Sequence, residues 1–203
     1  AGGIPFTLAD GIPGPSELVI GLDVGQAYDG RDDANESPTD GMRVGGSTVA
    51  IMNDGTVLGY TNTGAQTGER MPSRELLGIV EQEVGGFRRL EGGMPAHVTI
   101  MRDGFMNDPI GEALDYLSNQ GIGYDVVEVR KQAKTRLVNR NTTFDHPDRG
   151  VAAISTYEPR AVLATYGKPM HGRTDGTPRP ITIERTDGTT DIETLARQVY
   201  LLS

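Results

Sequence analysis

Glu17-Leu-Val-Ile-Gly-Leu-Asp23-Val-Gly25 is the stretch on which the fold turns. Leu18, Val19, Ile20 and Leu22 make a near-continuous apolar run, the pattern of a central strand covered on both faces. That run delivers one carboxylate, Asp23, at its end. An ionised carboxylate in such a strand is costly unless something pairs with it. Two readings stand at this point: an Asp just past the buried part and bonded to a turn, or a metal ligand or phosphate-facing group.

Working outward, residues 1–16 are rich in Gly and Pro and read as a lead-in segment crossing the surface. Residues 25–46 form an acidic, Gly-rich loop without periodicity. Ser47–Asn53 and Thr56–Tyr60 flank Asp54-Gly55, a hairpin signal, so three antiparallel strands open the domain. Pro72 can open a helix to about Val84, with Leu76, Leu77, Val80 and Val84 on one face and Gly85-Gly86 as its stop. His97–Met101 is a further apolar strand running into Arg102-Asp103-Gly104. Asp108-Pro109 starts a second helix, with Ile110, Ala113, Leu114 and Leu117 inward and Gly121 as its stop. Strands are predicted at Tyr124–Val129, Val151–Thr156, Ala161–Tyr166 and Ile181–Glu184. A capping box, Thr190-Asp-Ile-Glu193, opens a last helix through Leu195, Val199 and Leu202. The order predicts an α/β domain with a mixed sheet covered by helices.

The chain has 203 residues, 28 Asp and Glu against 19 Lys and Arg, a net charge of −9 and no Cys. Disulfides and thiolate metal sites are therefore excluded. No apolar run approaches the roughly 20 residues needed to cross a bilayer, and no signal peptide is visible. A membrane partner is not expected, and a cytoplasmic location is. Only Lys131, Lys134 and Lys168 are lysines; the other basic residues are Arg. Excess Asp with little Lys is the expectation for a halophilic protein, in which salt screens the self-repulsion. Against this acidic background Arg130, Lys131, Lys134, Arg136 and Arg140 fall in a stretch without a single acid from Val129 to Phe144. It reads either as a phosphate-directed patch or as a solvated loop. His146 and His171 make no ligand spacing and read as surface residues.

Three acids stand at the ends or starts of elements: Asp23, Glu69 and Asp103. If the strand ending at Asp103 lies parallel to and beside the first, Asp23 and Asp103 emerge at one edge of the sheet, the usual place for a site in an open α/β fold. Two neighbouring carboxylates repel, and a divalent cation is the ordinary remedy. Oxygen ligands alone suit Mg²⁺ or Mn²⁺. Against this, Asp-Gly occurs seven times in the chain, so Asp103-Gly104 alone reads as a turn. Glu69 alone reads as solvated, or as favourably placed ahead of the helix at 72, and Glu75 competes with it.

The chain nevertheless resembles the PIWI domain of prokaryotic, haloarchaeal-type Argonaute proteins, an RNase H-like fold, in seven short motifs in register. Gly2-Gly3-Ile4-Pro5-Phe6 resembles the lead into that domain. Leu18-Val-Ile-Gly-Leu-Asp23-Val-Gly resembles its first strand with the first catalytic Asp. Gly68-Glu69-Arg70-Met71-Pro72 is similar to the segment carrying the mobile catalytic Glu, and Met101-Arg-Asp103-Gly to the Arg-Asp-Gly of the next catalytic Asp. Val127-Glu-Val-Arg-Lys131, Gly176-Thr-Pro-Arg-Pro180 and Ala196-Arg-Gln-Val-Tyr200-Leu-Leu continue the likeness. The separation of 34 residues from Glu69 to Asp103 (103 − 69) is close to the family's and favours Glu69 over Glu75.

The resemblance implies an α/β, RNase H-like fold, a mixed central sheet with helices on both faces, with 1–16 as lead-in and 17–203 as the PIWI domain. It implies guide-directed binding of DNA or RNA and metal-dependent endonucleolytic cleavage of the target. Asp23 and Asp103 would ligate Mg²⁺ or Mn²⁺, Glu69 would complete the site, and Arg130, Lys131, Lys134, Arg136 and Arg140 would hold phosphates. The partners implied are guide and target strands and the other Argonaute domains. The family's fourth ligand, an Asp or His, lies beyond the counterpart of Leu202-Ser203, so the domain is expected to be truncated and inactive alone. The alternative is a catalytically incomplete guide- and target-binding module of the same fold. An actin-like ATPase would need a second Asp-Gly phosphate loop and an adenosine loop that are not found. A resolvase-like relative leaves the Gly68-Glu-Arg and Gly-Thr-Pro-Arg-Pro segments without a reason.

Overall fold

The computed structural model describes residues 7–27, 43–63, 66–67, 70–131, 135–138, 147–165 and 179–203; of 25–27, 43–45 and 66–67 it describes the backbone. Within these, nine strands form one sheet and three helices cover it. The strands are β1 (Leu18–Ala27), β2 (Arg43–Met52), β3 (Val57–Asn62), β4 (Gln66–Thr67), β5 (His97–Asp103), β6 (Gly123–Arg130), β7 (Ala152–Ile154), β8 (Arg160–Leu163) and β9 (Ile181–Asp187). The helices are α1 (Ser73–Glu91), α2 (Gly111–Asn119) and α3 (Ile192–Leu201). The strand order is β3-β2-β1-β5-β6-β9-β8-β7, with β4 on β2. β1, β5 and β6 run parallel, and the flanking strands pair antiparallel, so the sheet is mixed as expected.

The two-residue period of β1 divides the core. Leu18, Ile20 and Leu22 face α1 and α2 together with Val98, Ile100 and Val126. Val19 faces the other way, with Met101, Val127, Ile183 and the Leu195–Val199 face of α3. Each fully buried Leu, Ile or Phe in these clusters contributes roughly 1.5–3 kcal/mol of transfer free energy. The helices therefore lie on both faces, because the central strands are apolar on both.

The lead-in is tied into the second cluster. Ile12 is buried there, the Asn53 amide donates to the Ile12 and Ser16 carbonyls, and Gln198 donates to the Pro13 carbonyl at 2.7 Å. Residues 1–6 lie outside the described residues.

Several boundaries differ from the sequence reading. α1 does not stop at Gly85-Gly86 but runs on to Glu91, and Gly92 ends it at φ 78° in the left-handed region. The reason is packing. Phe87, beyond the two glycines, is buried, and Gly86 packs against the Leu58 side chain of β3 at ordinary contact distance, so the buried face of the helix continues through them. Ile79 and Phe87, rather than Leu77, complete the buried face. The ends of the expected 25–46 loop are strand, since β1 and β2 pair as far as Ala27 with Arg43; residues 28–42 lie outside the described residues. β7 and β8 are shorter than predicted, and β9 is longer.

α3 is capped by Asp191, not Thr190: its carboxylate accepts from the Thr194 backbone N–H at 2.8 Å and from the Thr194 hydroxyl at 2.7 Å. Asp191→Ala should cost about 1 kcal/mol, the usual worth of an N-cap, read as a lowered midpoint in urea unfolding. A Thr190→Ala change of equal cost, with Asp191→Ala neutral, would return the cap to Thr190.

Candidate metal and nucleic-acid site

The parallel register of β1 and β5 pairs Leu22 with Arg102, which puts Asp23 and Asp103 next to each other at the carboxyl ends of two adjacent strands. Side chains alternate, so both carboxylates share the face that carries Val19 and Met101. Asp103 in turn pairs with Val129 of β6. Lys131, two residues further, returns to that same face. Asp23, Asp103 and Lys131 border a groove of about 460 Å³ floored by Gly21, Val49 and Met101. A Cβ at Gly21 would come within 2.9 Å of the Val49 side chain, so glycine keeps the floor low.

Asp23 is exposed. It has left the buried part of its strand, and the desolvation cost raised by the sequence does not arise. Asp103 is 29 % exposed at its side chain and holds the Lys131 ammonium by an ion pair through Oδ2. That hydrogen bond raises the Lys131 ammonium above the ordinary lysine range; burial opposes it, and the charges of Asp103 and Asp23 add to the rise. Lys131 is thus a cation seated where two carboxylates meet.

The opposite face carries a second constellation. Asp108 is buried; its Oδ2 accepts from Arg102 Nε at 2.9 Å and its Oδ1 from the Met71 backbone N–H at 2.6 Å. Arg102 Nη1 also donates to the Asp103 carbonyl at 2.6 Å. Arg70 Nε donates to the Asn107 carbonyl at 2.7 Å. The residues on the C-terminal side of Glu69 are therefore fastened to the loop that follows Asp103, across a hollow of about 600 Å³. Glu69 itself lies outside the described residues. Sequence reasoning took Asp108 only as a helix start; its burial against Arg102 comes from packing and carries no signal in the sequence.

The basic stretch is divided by the same alternation. Arg130 bonds Glu184, lies 3.5 Å from Glu128 and stacks over the exposed Phe105 ring at 4.8 Å. Lys131 takes the groove face and Arg136 is exposed. Lys134, Arg140, His146, His171 and residues 176–178 lie outside the described residues. Among the described residues no three carboxylate or imidazole groups converge as a metal site.

The mixed sheet, with β1, β5 and β6 parallel and helices on both faces, is an α/β, RNase H-like fold. Within it, sequence and structure point to an Argonaute PIWI-like region. The chain is 33 % identical over 190 residues to the Argonaute protein of Thermus thermophilus, covering 93 % of this chain and 25 % of that protein. It is 25 % identical over 196 residues to that of Synechococcus elongatus, covering 94 % and 25 %. The solved Clostridium butyricum Argonaute, bound to a guide DNA and a 19-mer target DNA, matches with a TM-score of 0.78 at 21 % identity, over 95 % of this chain and 24 % of that one. Marinitoga piezophila Argonaute, solved with a 5′ OH guide RNA and target DNA, matches at 0.64 and 20 % identity, over 91 % and 25 %. No family model matches. The chain spans about a quarter of the length of the curated relatives it matches.

Proposed function

We propose that residues 17–203, with 1–16 as lead-in, act as the PIWI domain of a guide-directed nuclease that cleaves a paired target strand with Mg²⁺ or Mn²⁺. The observation that carries this reading is the side-by-side placement of Asp23 and Asp103 on one sheet face of an Argonaute-like fold. The donor set is all oxygen, and Asp103 already engages a cation, the Lys131 ammonium, which supports the reading. Asp23 and Asp103 would hold the metal, and Glu69 would complete its shell. When bound, a pair of such ions supplies an activated water and stabilises the leaving oxygen. Arg130, Lys131, Lys134, Arg136 and Arg140 would hold strand phosphates, while base pairing to the guide supplies sequence.

The other Argonaute domains would bind the guide with it, in a cytoplasmic protein. The acid excess fits a halophilic, haloarchaeal source. Among the described residues no helix is long and apolar enough to cross a membrane.

Mn²⁺ titration by calorimetry tests the site directly. The 203-residue chain should give saturable binding that the Asp23→Ala, Asp103→Ala double variant loses. Equal heats from both proteins would overturn the two-aspartate site.

A further inference from the structure

Lys131 is held at the groove by its ammonium alone. Its side chain is 73 % exposed, so little of its stem is packed, yet its ammonium bonds the Asp103 carboxylate and lies in the field of Asp23. Its neighbour Arg130 cannot take over this role. It leaves β6 on the other face, engaged by Glu184, Glu128 and Phe105.

Two like carboxylates at the ends of adjacent strands repel, and the ammonium offsets that repulsion. An ammonium offers three donors and one positive charge at the spot where a divalent ion would accept lone pairs from the same oxygens. The two cations cannot share Asp103 Oδ2. A divalent ion carries the greater charge, and a loosely packed side chain is free to leave.

We infer that Lys131 is the resident counter-cation of the Asp23–Asp103 site, bound in competition with the divalent metal and released from Asp103 when the metal enters. This rests on the metal-site reading above and adds to it a residue that opposes metal binding. Once displaced, the ammonium stays on the groove face, where an anionic strand can receive it. The same lysine thus couples metal loading to phosphate binding: each anion that engages it removes the metal's competitor.

The test is Mn²⁺ affinity of the whole chain by calorimetry, for the native protein, Lys131→Met and Lys131→Arg. Lys131→Met should bind Mn²⁺ about fivefold more tightly or better, the factor one unit charge at about 4 Å is worth even in water. Lys131→Arg, which keeps the charge, should stay near the native value. Mg²⁺ titration of the native protein, followed by the NMR signal of the Lys131 side-chain ammonium, should shift that signal as the ion pair opens. Equal or weaker Mn²⁺ binding by Lys131→Met, or a Lys131 signal that ignores Mg²⁺ while Mn²⁺ binds, would overturn the inference and leave the two-aspartate site standing. Absence of Mn²⁺ binding in every protein would overturn both.

Discussion

Replacing Asp125 by Ala should cost the fold about 3–5 kcal/mol, since it strips a fully buried carboxylate from three partners at once. Its Oδ1 accepts from the backbone N–H groups of Thr189 and Thr190, at 2.9 and 3.0 Å, and its Oδ2 faces His97 Nε2 at 3.2 Å. The carboxylate thereby fixes the start of α3 against the central strands. The Asp187-Gly188 turn closes directly onto it: Gly188 has φ 101°, and a Cβ there would run into Asp125 Oδ1.

Burial by itself would raise the Asp125 carboxyl. The hydrogen bonds from His97 and Thr190 and the charge of His97 outweigh that, and the group ends below the ordinary carboxylate range. A depressed folded-state pKa means stability that is complete above the unfolded value, near 4, and lost as pH falls through the folded value. The penalty of Asp125→Asn should therefore be largest at neutral pH and shrink below about pH 4. Urea unfolding at pH 7 and pH 3 measures both points, and a penalty that grew in acid would reverse the assignment.

Asp108→Ala should be nearly as damaging, about 3–5 kcal/mol, because it leaves the buried Arg102 guanidinium without its counter-charge and the Met71 N–H without its acceptor. For a domain near 200 residues this is a fall of roughly 10 °C in Tm. Amide exchange at Met71 should quicken in the same variant. The paired change Arg102→Met with Asp108→Asn should recover most of the loss, since no charge is stranded and the Asn carbonyl still accepts from Met71. A loss below about 1 kcal/mol for Asp108→Ala alone would mean that water already satisfies Arg102.

The parts of this architecture legible in sequence are those where local pattern and tertiary demand agree. The apolar run of β1, the uniformly buried β5 and the Asp54-Gly55 turn each announce themselves through side-chain period or turn chemistry. The adjacency of Asp23 and Asp103 followed from placing two strands in parallel, and the register bears it out. What stayed hidden depends on partners far away in the chain. Gly85-Gly86 reads as a stop until Phe87, just beyond it, is seen buried in the core. Asp108 and Asp125 are ordinary loop and strand acids in sequence, and only packing makes each a buried anchor. The basic stretch was legible as charge but not as direction, for a run of cations does not say which side of a sheet each will address.

That last point has a consequence for how β6 is wired. Arg130 and Lys131 are consecutive, yet one serves an aromatic and two glutamates while the other serves the paired aspartates. Their assignment is a matter of odd and even count along the strand. The irregularity between Val126 and Val127, where the pairing with β9 slips by one, sits upstream of both. Adding or deleting one residue between that point and Arg130 would exchange the two roles, sending a planar, forked guanidinium to Asp103 and a flexible point charge to Phe105. The chemistry at the groove is therefore encoded as much in the parity of one strand as in the identity of its residues.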